Sequence, residues 1–193
     1  MTPAEGEPSR RRDEIEVKIP CEDLGRTGDR LRDLGASSRS PRHFESNVLY
    51  DDADGRLAAS GRALRLRVAG GQTLLTFKGP AHFSQGIKIR EEREVVVSDA
   101  SQTEAILVHL GLAPRFRYEK WREEWTLEGC TVALDETPIG TFVEVEGDPA
   151  VIRRVVAALE LDFSQAVPYT YAKLYSEKRK ADPKLPSDMI FGS

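Results

Sequence analysis

With 193 residues, 31% of them charged and 39% hydrophobic, the chain has the makeup of a soluble globular protein of one domain, long enough to bury a core. A formal net charge of −4 gives none of the basic excess expected of a nucleic-acid binder, and no apolar run approaches the roughly 18 residues that span a bilayer. The N-terminus lacks the apolar stretch of a secretory signal, and two cysteines, Cys21 and Cys130, make neither a disulfide framework nor a metal-ligand pattern. A cytoplasmic protein with free thiols, binding neither nucleic acid nor membrane, is the expectation.

Residues 1–12 are polar and carry the basic triplet Arg10-Arg11-Arg12, which predicts a loose leader. A single domain is expected over 13–180 and a proline-bearing tail over 181–193. Eight strands are predicted near 14–19, 42–51, 62–69, 72–79, 86–97, 115–128, 130–135 and 141–147. Gly70-Gly71 has the chemistry of a two-residue hairpin turn, and Glu128-Gly129 turns a second hairpin. One helix is predicted near 22–34, with Leu24, Leu31 and Leu34 on one side, and another near 100–110, after the Ser98-Asp99 capping signal. A third starts at Asp148-Pro149 and presents Val151, Ile152, Val155, Val156 and Leu159; a short fourth is expected near 168–179.

The strands share a charge alternation. Glu14, Glu16 and Lys18 occupy one parity of the first, with Ile15, Val17 and Ile19 on the other. The pattern returns at Leu64-Arg65-Leu66-Arg67, Thr76-Phe77-Lys78, Lys88-Ile89-Arg90, Tyr118 to Arg122 and Phe142-Val143-Glu144-Val145-Glu146. Because side chains alternate across a strand, each segment has one ionic and one largely apolar face. The helices need the apolar face, which leaves the ionic one on the far side of the sheet. Two architectures satisfy this: an open sheet with its charged face in water, or a closed antiparallel barrel with the charges inside. The closed form buries charge at a cost unless it stays wet or holds counter-ions and a ligand.

The order of these segments resembles the CYTH superfamily, the triphosphate tunnel metalloenzymes. The resemblance runs from about Asp13 to Tyr175 and rests on Glu14-x-Glu16-x-Lys18, Asn47-Val48-Leu49-Tyr50-Asp51, Ala63 to Arg67, Leu75 to Gly79, Lys88 to Glu94, and Asp135 with Gly140 to Glu146. It implies an α+β fold: an eight-stranded antiparallel closed β-barrel, the triphosphate tunnel, with helices packed outside. It also implies a divalent metal, Mg²⁺ or Mn²⁺, held by Glu14, Glu16, Glu144 and Glu146. Arg65, Arg67, Lys78, Arg90 and Arg122 would form a cationic wall for phosphates, joined by Lys18 and by Lys173 near the C-terminus. Lys18 and Asp135 would serve the chemistry. Lys88 and Lys120 share the inward parity, as do Glu92 and Glu94, whereas Glu91 and Arg93 should face outward. Asn47 stands where many members carry an acidic residue.

The implied function is metal-dependent hydrolysis of a triphosphate, with tripolyphosphate, thiamine triphosphate and ATP as candidate substrates. The alternatives are the class IV adenylate cyclase reaction, ATP to cyclic AMP and pyrophosphate, and a non-catalytic polyphosphate- or nucleotide-binding module.

Overall fold

The computed structural model describes residues 12–192, so all but the last residue of the expected leader lies outside the described residues. All eight predicted strands form: β1 (Arg12–Pro20), β2 (Ser37–Asp51), β3 (Ala63–Ala69), β4 (Gln72–Ser84), β5 (Ile87–Val97), β6 (Ala113–Leu127), β7 (Cys130–Thr137) and β8 (Gly140–Glu146). They close into an antiparallel barrel in the order β1-β5-β4-β3-β2-β6-β7-β8. The open sheet is thereby excluded. Closure is the work of β1, which pairs with β5 from Arg12 to Glu16 and with β8 from Glu16 to Pro20.

Three hairpins have the same two-residue turn. Gly70-Gly71, Gln85-Gly86 and Glu128-Gly129 place both central residues at positive φ, the type I′ geometry whose twist matches that of the strands it joins. β2 starts at Ser37, five residues before the predicted strand, and its pairing with β6 shifts register on either side of Ser40. Pro41 lies in the second of these irregular steps and has no N–H to give the ladder.

Helices α1 (Leu24–Asp33), α2 (Arg56–Ala59), α3 (Ala100–His109), α4 (Pro149–Ala158) and α5 (Tyr171–Ala181) surround the barrel. Asp23, Asp99, Asp148 and Thr170 cap α1, α3, α4 and α5 through their side-chain oxygens, so four helix starts are written locally. The largest core lies outside the wall. Leu31 of α1 and Ile152, Val155 and Val156 of α4 pack on Val17, Val132, Leu134, Val143 and Val145. A second apolar cluster sets Leu107 of α3 on Val48, Tyr50 and Leu66. α2 was not expected; buried Asp51 organises it by accepting from the Leu57 and Ala58 amides.

A third cluster fills one end of the barrel. Tyr118 and Phe142, on the inward parity of β6 and β8, meet Tyr171 and Tyr175 of α5 and Met189. The segment expected as a tail is docked there. Met189 is 0% exposed, its N–H donates to Arg117 O and its carbonyl accepts from Glu119 N. The Tyr175 hydroxyl reaches the carbonyls of Pro186 and Asp188. One deeply buried methionine and paired backbone groups give this polar segment a fixed place.

Candidate active site

The register puts Glu14, Glu16 and Lys18 of β1 on the inner wall with Lys88, Arg90, Glu92 and Glu94 of β5 and Thr76 and Lys78 of β4. Arg65 and Arg67 of β3 join them, with Glu45 and Asn47 of β2, Tyr118, Lys120 and Arg122 of β6, Asp135 of β7, and Glu144 and Glu146 of β8. Glu91 and Arg93 lie on the outside and pair with each other.

Inside, the charges form a circuit. Lys88 holds Glu16 at 2.5 Å and reaches Glu14 at 4.0 Å. Glu14 binds Lys78 at 2.8 Å, which also binds Glu92 at 2.6 Å. Arg65 lies 3.8 Å from Glu92 and 3.5 Å from Glu94, and Glu94 holds Arg67 at 3.0 Å. Arg67 reaches Glu45 at 3.1 Å, Glu45 reaches Lys120 at 3.5 Å, and Lys120 binds Asp135 at 3.0 Å. Arg122 donates to both oxygens of Asp135, at 2.7 and 2.6 Å, and also binds Glu144. Glu144 then returns to β1 at Lys18, 3.0 Å away. The chain of pairs thus leaves β1 at Glu16 and comes back to it at Lys18.

This network sets the protonation of its members. Burial opposes the charge on Lys18, but the Glu144 and Glu16 carboxylates outweigh it and hold the ammonium above its ordinary value. Burial likewise works against ionised Glu45, and Lys120, Arg122 and Arg67 overcome it, holding that carboxyl far below the usual range. Glu146 behaves in the opposite way. Its enclosure by the barrel, then the like charges of Glu14, Glu16 and Glu92, push it up to about 7, although its side chain keeps contact with solvent. Glu146 forms no ion pair with a described residue.

The expected residues are not all brought to one place. Arg90 points inward but donates to the carbonyls of Gly79, Gly61 and Lys78, so its guanidinium is tied to backbone. Lys173 stays outside: it is half-exposed on α5 and pairs with Glu177 one turn on. Tyr171 enters the lumen instead, because two residues along a helix turn the side chain by about 200°. Among the described residues no three carboxylate, histidine or cysteine groups are gathered as a ready-made cation cluster. Of the four expected ligands, Glu14 and Glu16 are held by lysines and Glu144 by Lys18 and Arg122. The donor set still fits a hard divalent ion: Glu16 and Glu146 are direct cross-strand neighbours, and the charges of Glu14 and Glu16 add to burial in raising Glu146.

Glu45 and Tyr171 went unrecognised in the sequence. Glu45 is 1% exposed and joins Arg67 to Lys120; the inward parity of Asn47, two residues on, was the signal for it. Tyr171 belongs to a helix, where strand parity has nothing to say. Several lumen atoms have no hydrogen-bond partner among the described residues: both amide atoms of Asn47 and the Nε atoms of Arg65 and Arg67. Asn47 and Arg67 are direct cross-strand neighbours, so these unused groups fall together.

The family model described as the CYTH domain matches residues 12–167. The chain belongs to the CYTH family. An adenylate cyclase candidate from Methanocaldococcus jannaschii is 28% identical over 134 residues, covering 69% of this chain and 75% of that protein. Among solved structures, an adenylate cyclase candidate from Vibrio parahaemolyticus superposes with a TM-score of 0.75 at 18% identity, covering 86% of this chain and 99% of the other. The PH1819 protein from Pyrococcus horikoshii superposes with a TM-score of 0.72 at 24% identity, with 86% and 99% covered. An adenylyl cyclase candidate from Hippeastrum, described as having a dominant triphosphatase activity, gives a TM-score of 0.60 at 19% identity, with 91% and 99% covered. At these identities the structural likeness speaks to the CYTH barrel. α5 and the docked C-terminal segment lie beyond the stretch that the family model matches.

Proposed function

We propose that the barrel binds a linear triphosphate together with Mg²⁺ or Mn²⁺ and hydrolyses it. The observation that carries this reading is the circuit of buried ion pairs. Such pairs are a poor stabilising device, since desolvation consumes most of their Coulombic gain, and a wall of apolar residues would serve a purely structural barrel as well. As a store of cations held ready for a polyanion the circuit makes sense. Phosphate oxygens would replace carboxylates as partners of Arg65, Arg67, Lys78, Lys120 and Arg122, with the unpaired Nε atoms of Arg65 and Arg67 as further donors. Carboxylates released in that exchange leave Glu14, Glu16 and Glu146 as the acidic cluster. They would hold the divalent ion, which when bound supplies charge neutralisation at the phosphate oxygens.

The chain's own chemistry would centre on Lys18 and Asp135. Asp135 is 0% exposed and fixed by Lys120, Arg122 and Tyr171, which makes it an oriented acceptor for a water or a water-bound proton. The charged Lys18 ammonium adjoins it and would steady the developing negative charge.

The relatives described as adenylate cyclase candidates support a second reading, in which the same lumen converts ATP to cyclic AMP and pyrophosphate. A product assay decides. Purified protein with Mg²⁺ and then Mn²⁺ is offered tripolyphosphate, thiamine triphosphate and ATP separately, and phosphate, pyrophosphate and cyclic AMP are quantified. Phosphate release supports the hydrolase; cyclic AMP with matching pyrophosphate supports the cyclase. Tight binding without product defeats both.

A further inference from the structure

We propose that Tyr171, at the start of α5, is a positioning residue of the lumen that holds Lys18 and Asp135 in their relative places, so that the C-terminal helix completes the site. The inference rests on the functional reading above. Lys18 and Asp135 come from β1 and β7, which are not neighbours in the sheet; β8 lies between them. Within the wall they are linked indirectly, through Arg122 and Glu144. Tyr171 touches both. Its hydroxyl donates to Asp135 Oδ2 at 2.7 Å, and Lys18 Nζ lies 3.9 Å from the centroid of its ring. Lys18 Nζ also donates to Tyr169 O at 3.3 Å and faces Glu144 at 3.0 Å. Two of these three contacts to the ammonium come from the C-terminal segment, one from Tyr169 just before α5 and one from Tyr171, its first residue. The Lys120 ammonium sits 5.4 Å from the same ring, so the aromatic face is shared by two cations.

The phenol is held in turn. Tyr171 is 6% exposed, its ring meets Phe142 edge-on at 5.3 Å, and Thr170 caps the helix one residue earlier. Val167 N donates to Lys18 O, which fastens the entry segment to β1 at the lysine itself. Asp135 Oδ2 accepts from Lys120, Arg122 and Tyr171 together, whereas Oδ1 accepts from Arg122. The lysine and arginine supply the charge; the tyrosine adds a neutral donor from outside the wall, which sets the carboxylate's angle without adding to the charge balance.

Three variants test this. Tyr171→Phe keeps the ring and loses the donor. Tyr171→Leu loses both. Met189→Ala loosens the same apolar plug without touching Lys18 or Asp135. The readouts are kcat and KM with tripolyphosphate and Mg²⁺, thermal unfolding, and the chemical shift of the Lys18 ε-methylene protons. The ring face should move that resonance upfield in the wild type and in Tyr171→Phe, and Tyr171→Leu should abolish the displacement. Tyr171→Phe should lower kcat 10- to 100-fold with KM within about twofold, and Tyr171→Leu should lower it further. Met189→Ala should lower the melting temperature yet keep kcat within about threefold. Equal loss of kcat in Met189→Ala and Tyr171→Phe would reduce Tyr171 to plug packing and overturn the proposal. An unshifted Lys18 resonance in the wild type would overturn it independently of any activity. A wild type that neither binds nor turns over a triphosphate defeats the functional reading instead, and the resonance still reports whether Tyr171 holds the ammonium.

Discussion

Glu16 and Glu146 face each other directly across the β1–β8 seam, two carboxylates in register on the inner wall. Glu16 has Lys88 at 2.5 Å as its counter-ion; Glu146 has none among the described residues. Like charges directly opposite in a sheet are unfavourable, and nothing in the packing requires a glutamate at position 146. In the proposed function, this pair is where a divalent cation would be held.

The pH dependence of stability follows from it. Glu146 is raised to about 7 against an ordinary 4.5, so in the folded state it holds its proton more tightly than in the unfolded chain. Its contribution is fully present below about pH 4.5 and is lost as pH rises through about 7. Without divalent metal, Glu146→Gln should therefore raise the melting temperature at pH 8 and leave it little changed at pH 5. Added Mn²⁺ at pH 8 should stabilise the wild type more than the variant. Melting curves at the two pH values, with and without metal, check both statements.

Glu16→Gln should cut turnover on the order of 10²- to 10³-fold or more without unfolding the chain. Arg67→Ala should act mainly on KM for the triphosphate, since the guanidinium is one donor of a wall with several. Steady-state kinetics on the two variants separate these effects, and full activity in Glu16→Gln would remove Glu16 from the site.

Glu45 carries more of the fold than of the chemistry. Replacing it with Gln leaves Arg67 and Lys120 short of a buried counter-charge, a loss on the order of 3 kcal/mol. Because its folded-state pKa is depressed, the stability it gives is present above pH ~4.5 and declines as pH falls toward the folded value. Urea unfolding of Glu45→Gln beside the wild type should show a gap at pH 7 that narrows as the solution is made acidic.

Away from the lumen, Gly147 follows the last strand in a place with no room for a side chain. An added Cβ would stand 2.6 Å from Cys130 Sγ and 3.3 Å from Cys130 Cα. Gly147→Ala should cost about 1–3 kcal/mol, and a double variant with Cys130→Ala should recover part of it. Denaturant midpoints of the two single variants and the double variant measure the coupling.

Much of this protein was decided by short-range patterns. Alternation assigned Glu14, Glu16, Lys18, Arg65, Arg67, Lys78 and Arg122 to one face, because a strand has a period of two whatever surrounds it. Gly70-Gly71 and Glu128-Gly129 marked hairpins, and Asp99 and Asp148 marked helix starts, because those geometries need particular residues locally. Alternation alone left closure open, since a period of two is the same in a flat sheet and a barrel; the family resemblance implied the barrel, and β1 pairing along both edges turns the ionic face into a lumen. The partner of each charge, the tethering of Arg90 to carbonyls, the exchange of Lys173 for Tyr171 and the docking of Met189 were decided the same way. Each depends on chain segments far apart in sequence meeting at one depth in the barrel, and that depth is set by strand register and tilt, which no local pattern encodes.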